Sequence, residues 1–182
     1  MPCFIILGGM KVAAVQLTST GNITENQELA LAKIREAAGN GARLIVLPEA
    51  TAQNFRSGRL DEQAQTLEGP FATAIQALAE ELEVTVVAGM FCPADTVERE
   101  GKTINRVTNT ALIAGPGVLG GYDKIHTYDA FDYRESDTVL AGESLVAFDV
   151  DDLIVGVATC YDIRFPEQFK ELASQGAQLI VV

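Results

Sequence analysis

Apolar residues in this chain follow two alternating rhythms: short continuous runs, and runs spaced three or four residues apart. The string KVAAVQL from Lys11 is a continuous run of strand length. The next segment, GNITENQELALAKIREAAGNG, puts Ala30, Ile34, Ala37 and Ala38 on one helical stripe. Thr24 and Gln27 have capping-box spacing, Glu25 and Glu28 fall in the first turn, and Gly39 and Gly41 stand where the helix would end. RLIVLPEA then reads as a strand stopped by Pro48. The pattern repeats, with Pro70 at a helix start and Phe71, Ile75, Leu78, Ala79 and Leu82 along one face, followed by the strand VTVVAGM. Strands this continuously apolar, alternating with helices, predict an α/β domain whose sheet is covered by helices.

The second half changes character. After a segment from Ala94 to Thr103 that reads as a polar loop, RVTNTALIAG and VLGGYDK flank Gly115, Pro116 and Gly117, which predicts a hairpin. LVAFDV and LIVGVAT flank Asp151 and Asp152, a second hairpin signal, so this sheet material is antiparallel or mixed. The stretch from Ile125 to Ser144 is polar and irregular, with Tyr128, Phe131 and Tyr133 as pocket-lining candidates. The last unit runs from LIVGVAT through Cys160 into a helix entered at Pro166 and ending near Ser174, then into the strand AQLIVV. An apolar run at Val182 with no closing helix predicts a C-terminally incomplete domain.

Composition narrows the function classes. The chain has 182 residues, 48% hydrophobic and 21% charged, which fits one folded domain. Its formal net charge of -12 repels phosphate backbones, and its basic residues form no stripe or cluster. Nucleic acid and membrane partners are therefore not expected, and a small-molecule substrate is. Cys3, Cys92 and Cys160 are odd in number with no CxxC pair, so neither a disulfide framework nor a zinc site is indicated, and a cytoplasmic setting fits. The apolar run Phe4 to Leu7 is too short for a signal segment or a span. Residues 1–9 read as an extra N-terminal segment before a domain at 10–182.

Three residues could carry chemistry. Cys160 sits between a strand and a helix, where unpaired N–H groups would lower a thiol pKa; Cys3 and Cys92 read as inert core residues. The only histidine, His126, is the usual type of partner for a cysteine nucleophile, but a single histidine is more often structural. Glu49 follows Pro48 at a strand end, where partial burial suits a carboxylate to general-base work. Lys124 ends the strand-like run after Gly120 and Gly121 and would reach the same rim. Each has an ordinary alternative: a core thiol, a paired or solvated carboxylate, a surface ammonium.

Taken together, the strings LPEA, GYDKIH and CYDIRFPE, in this order and each at a strand end, resemble the Glu-Lys-Cys signature of the nitrilase, or carbon-nitrogen hydrolase, superfamily. The resemblance runs from Lys11 to Val182 and implies an α-β-β-α sandwich of the nitrilase type. It implies Cys160 as nucleophile, Glu49 as base and Lys124 as stabiliser of the tetrahedral intermediate, with the Tyr161 N–H as second oxyanion donor and Glu135 orienting the lysine. It requires no metal or organic cofactor and implies a homo-oligomer at full length. Arg164 and Glu167 read as structural partners at the elbow, although Arg164 could also meet a substrate carboxylate. The substrate, an amide, nitrile or carbamoyl compound, would be selected by the loops Ala50 to Asp61 and Thr127 to Arg134. Two rivals stand beside this reading: an inactive fragment of such a hydrolase, and a nucleotide-binding module. The turn TSTGN, with one glycine and no phosphate-loop spacing, speaks against the second.

Overall fold

A computed structural model gives the fold, with residues 2–7 and 9–182 described. Strands β1 (Cys3–Leu7) and β2 (Met10–Ala14) pair antiparallel, so part of the segment expected to precede the domain forms an edge strand of the main sheet. Helix α1 (Ile23–Gly39) leads to β3 (Leu44–Val46), and α2 (Pro70–Glu81) leads to β4 (Thr85–Arg99). Strands β2, β3 and β4 are parallel neighbours. Helix α1 starts earlier than the capping-box spacing predicts. Its cap is Asn22, whose side chain accepts from the N–H groups of Thr24 and Glu25 at 3.0 and 3.3 Å, which puts Thr24 inside the first turn.

Strand β5 (Lys102–Gly115) pairs with β4 from Val86 to Arg99, with a register shift between Pro93 and Thr96, so residues 94–103 are not a loop but the outer end of a long hairpin. Its polarity has a physical reason: this end projects with both faces in water, so no apolar alternation marks it. Cross-strand partners hold it instead, Arg106 on Asp95 and Thr103 on Glu98, around a turn at Glu100 and Gly101. Strand β6 (Val118–Asp123) pairs with β5 through the hairpin expected at Pro116 and Gly117. A two-stranded ribbon of β7 (Asp129–Ala130) and β8 (Tyr133–Arg134) follows, and then β9 (Val139–Leu140) returns to the same edge of β5.

The second sheet consists of β10 (Ala147–Val150), β11 (Leu153–Val157) and β12 (Leu179–Val181), with α3 (Pro166–Ser174) between the last two. The β10–β11 hairpin turns at Asp151 and Asp152, as expected. Strand alternation sets the layers. Ile45, Val86, Ala88 and Leu112 face Ile34, Ala37, Phe71, Ile75 and Leu78 of α1 and α2. Leu44, Val87, Ile113 and Tyr122 face the other way, against Phe148, Val150, Val155, Val157 and Val181 of the second sheet. On its far side Gly156 packs against Leu172 of α3. The order of layers is α-β-β-α, with catalytic candidates at one rim where both sheets end.

Candidate active site

Glu49 sits at the end of β3 on a bend held by β4. The N–H of Gly89 donates to the Pro48 carbonyl, the N–H of Ala52 donates to the Gly89 carbonyl, and Ala50 takes a φ of 58°. Gly89 is required by this approach. A Cβ there would lie 2.5 Å from the Ala50 nitrogen and 2.7 Å from the Glu49 Cα.

Lys124 leaves β6 with its backbone clamped on both sides. Its N–H donates to the Asn109 carbonyl and its own carbonyl accepts from Gly142, both at 2.9 Å. The side chain is 2% exposed and its ammonium donates to Glu135 Oε2 at 2.9 Å, Glu135 Oε1 at 3.1 Å and Glu49 Oε1 at 3.3 Å. Burial pulls the Lys124 pKa down, but the charge of Glu49 and the hydrogen bond and charge of Glu135 outweigh it and hold the ammonium above its ordinary value. Glu135, also buried, takes a further hydrogen bond from the Tyr128 N–H at 2.6 Å.

Cys160 follows β11 with a φ of 50° and opens a short 3-10 turn over Cys160–Arg164. It lines the same cleft as Glu49, Lys124 and Glu135. Among the described residues, the N–H groups of Cys160 and Tyr161 donate to no protein acceptor. The lowered thiol pKa expected from the helix start is not found. Burial and the charge of Glu49 push the thiol up, and Lys124 opposes them only in part. The sequence pattern registers the helix start, but neither the burial of the thiol, which raises it most, nor the charge of Glu49, which comes from a distant segment, is marked there.

The elbow is braced by Asp162, fully buried, rather than by Arg164 or Glu167. Asp162 accepts from the Tyr122 hydroxyl at 2.6 Å, the Thr159 N–H at 2.8 Å and the His126 N–H at 2.9 Å. Arg164 and Glu167 are exposed and make no side-chain hydrogen bond or ion pair among the described residues. Both are charged residues of the first turns that point outward, while Gln168 supplies the inward contact, to Tyr122 at 2.8 Å. His126 is taken up by the same hub: Nδ1 lies 2.8 Å from Asp162, and the ring stacks on Phe165 at 3.6 Å. Cys3 is exposed on β1 rather than in the core, and Cys92 is half-buried.

Asn109 escaped the sequence reading. It is 1% exposed on β5, and its amide donates to Glu49 Oε1 at 2.7 Å and Glu135 Oε1 at 3.3 Å. The available signal was a polar residue, in RVTNTALIAG, at a strand position flanked by core residues. Glu49, Lys124, Glu135 and Cys160 open onto a cleft of about 740 Å³ walled by Phe55, Tyr128, Phe131 and Tyr133, three of which are the expected aromatic candidates.

The layer order is that of the nitrilase type of α-β-β-α sandwich. The carbon-nitrogen hydrolase family model matches residues 11–182, and the chain belongs to that family. It is 43% identical over 178 residues to a hydrolase of Mycobacterium tuberculosis, covering 95% of this chain and 60% of that protein. It is 36% identical over 178 residues to the deaminated glutathione amidase of Synechocystis, covering 93% of this chain and 64% of that one. The chain thus spans about three fifths of the length of these relatives. Among solved structures, Nit3 of Saccharomyces cerevisiae, a nitrilase-superfamily member, superposes with a TM-score of 0.73 at 26% identity, covering 94% of this chain and 62% of that one. An amidase from Nesterenkonia shares the fold at a TM-score of 0.75 and 22% identity, covering 94% of this chain and 65% of that one.

Proposed function

We propose that this site hydrolyses the carbon-nitrogen bond of a small amide, carbamoyl compound or nitrile through a covalent intermediate on Cys160. The observation that carries the reading is the buried Lys124 ammonium held between Glu49 and Glu135 in the cleft that Cys160 lines. A thiol pushed up by burial and by Glu49 rests protonated, so attack requires a base that removes the proton as the bond forms. Glu49 is that base. Both of its protein donors bind Oε1, and Oε2 receives no nitrogen or oxygen donor among the described residues.

For an amide, the Cys160 sulfur bonds to the carbonyl carbon while Glu49 takes the thiol proton. The carbonyl oxygen becomes an oxyanion, held by the Lys124 ammonium and the unpaired Tyr161 N–H. Of the three Lys124 contacts, the 3.3 Å one to Glu49 is the longest and the one given up to this oxyanion. Collapse breaks the C–N bond, Glu49 passes its proton to the departing nitrogen, and a thioester remains. Water then loses a proton to Glu49 and attacks the thioester; the acid departs and the thiol regains its proton. A cleft of about 740 Å³ with aromatic walls suits a small organic substrate. The amidase relatives favour amides, and three free cysteines support a reducing, cytoplasmic setting. At full length the protein is proposed to form a homo-oligomer.

The test is ammonia release from a panel of small aliphatic amides, N-carbamoyl compounds and nitriles. Turnover that falls at least a thousandfold in Glu49→Gln and in Cys160→Ala supports the reading; turnover retained in either variant contradicts it.

A further inference from the structure

We infer that Asn109 is a positioning residue that assigns the two glutamates different work, holding Glu49 by one oxygen so that its other oxygen is kept for the thiol proton. The inference rests on Glu49 as base. Its origin is topological. Strands β6 and β9 both pair with β5 on one edge, β6 from Thr110 onward and β9 at Val107 and Thr108. The chain leaves that edge after Asp123 and returns at Val139, and Asn109 stands at the fork. Lys124 lies just past the exit and Glu135 just before the return, so one residue of β5 reaches both.

A side-chain amide offers two N–H donors, and here they go to two different carboxylates, at 2.7 Å to Glu49 and 3.3 Å to Glu135. The same residue fixes the Lys124 backbone through its carbonyl at 2.9 Å. The outcome differs for the two acids. Glu135 receives donors on both oxygens, Lys124 and Asn109 on Oε1, Lys124 and the Tyr128 N–H on Oε2. It is saturated and serves as a fixed counter-ion. Glu49 receives both of its donors on Oε1 alone. Lys124 must loosen its hold on that oxygen when an oxyanion forms, and Asn109 is then the contact that keeps Glu49 in place.

The experiment is the pH dependence of Cys160 alkylation by iodoacetamide, read peptide by peptide, in wild type, Glu49→Gln, Asn109→Ala and the double variant. Burial holds the Cys160 thiol up most; of the charged groups that act on it, Glu49, Lys124 and Glu135, Glu49 adds most to that rise and Lys124 opposes it. Glu49→Gln is expected to move the alkylation midpoint down by about one pH unit. Asn109→Ala, by letting Glu49 swing away, moves it the same way by at least half as much and adds nothing in the Glu49→Gln background. Half-buried Cys92 reports folding in the same digest: its slow alkylation is unchanged in a folded variant. Asn109→Ser, with too short a reach to span both carboxylates, gives the same shift and serves if the alanine variant unfolds. A wild-type midpoint in folded Asn109→Ala or Asn109→Ser, with Glu49→Gln shifted, overturns the inference and leaves Glu49 as base. An unshifted Glu49→Gln removes Glu49 from the thiol, and the proposed function fails with it.

Discussion

Replacing Gly89 by alanine isolates one requirement of the account, that the Glu49 backbone be seated against β4. The added Cβ would stand 2.5 Å from the Ala50 nitrogen, 2.7 Å from the Glu49 Cα and 2.8 Å from the Glu49 carbonyl carbon. Ordinary contact begins at 3.4 Å, and these neighbours are backbone rather than flexible side-chain ends. The bend must therefore retreat by roughly 1 Å, and overpacking of this kind costs about 1–3 kcal/mol of stability. A retreat of this size in a catalytic group costs on the order of a hundredfold in rate. Gly120, in β6, is the control, because a Cβ there meets nothing within 4 Å. Steady-state kinetics on the best amide of the panel, with thermal melts, should show kcat down about a hundredfold in Gly89→Ala at 25 °C, where the variant is still folded. Gly120→Ala should match wild type. If folded Gly89→Ala keeps kcat within a factor of two, the seating of Glu49 does not matter for the reaction.

Asp162→Ala removes a fully buried carboxylate that accepts from Tyr122, Thr159 and His126, so urea unfolding should show a loss of about 3–5 kcal/mol. A loss below about 1 kcal/mol would mean that the elbow does not depend on this hub. Alkaline pH probes the same region. Burial and Asp162 hold the Tyr122 phenol above its ordinary value. A group raised on folding contributes stability that is complete below its unfolded value, about 10, and lost as pH rises through the folded one. Stability measured from pH 8 to 11 should therefore decline above about 10, and Tyr122→Phe should flatten that decline. An identical decline in both proteins would assign it to other groups raised on folding, Cys160 and Lys124 among them.

Sequence legibility followed the range of the physics. KVAAVQL, RLIVLPEA and VTVVAGM stand out because strands buried on both faces need apolar residues at every position. The hairpins at Gly115 to Gly117 and Asp151 to Asp152 are marked by local turn chemistry. The outer β4–β5 hairpin is exposed on both faces and carries no such pattern, so it reads as loop. Glu49, Lys124 and Cys160 stood out as candidates by strings at strand ends, and Glu135 by the string YRES between Lys124 and Cys160. Asn109 did not, because its meaning lies in partners 60 and 26 residues away. The sign of the Cys160 shift is hidden for the same reason: it is set first by burial and then by the charge of Glu49, both of which only the fold supplies. Asp162 is half legible, since Thr159 and Asp162 form a capping box visible in the sequence, while its bonds to Tyr122 and His126 are not.

The central claim is that Cys160 carries the acyl group during turnover. Its most direct test is intact-mass analysis of the protein quenched in acid seconds after mixing with each amide of the panel. The account predicts a mass increase equal to the acyl portion of a reactive amide, mapped to the Cys160 peptide and absent in Cys160→Ala. It also predicts that the adduct decays on the timescale of ammonia release. An adduct that persists in Cys160→Ala, or ammonia release undiminished in that variant, would contradict it.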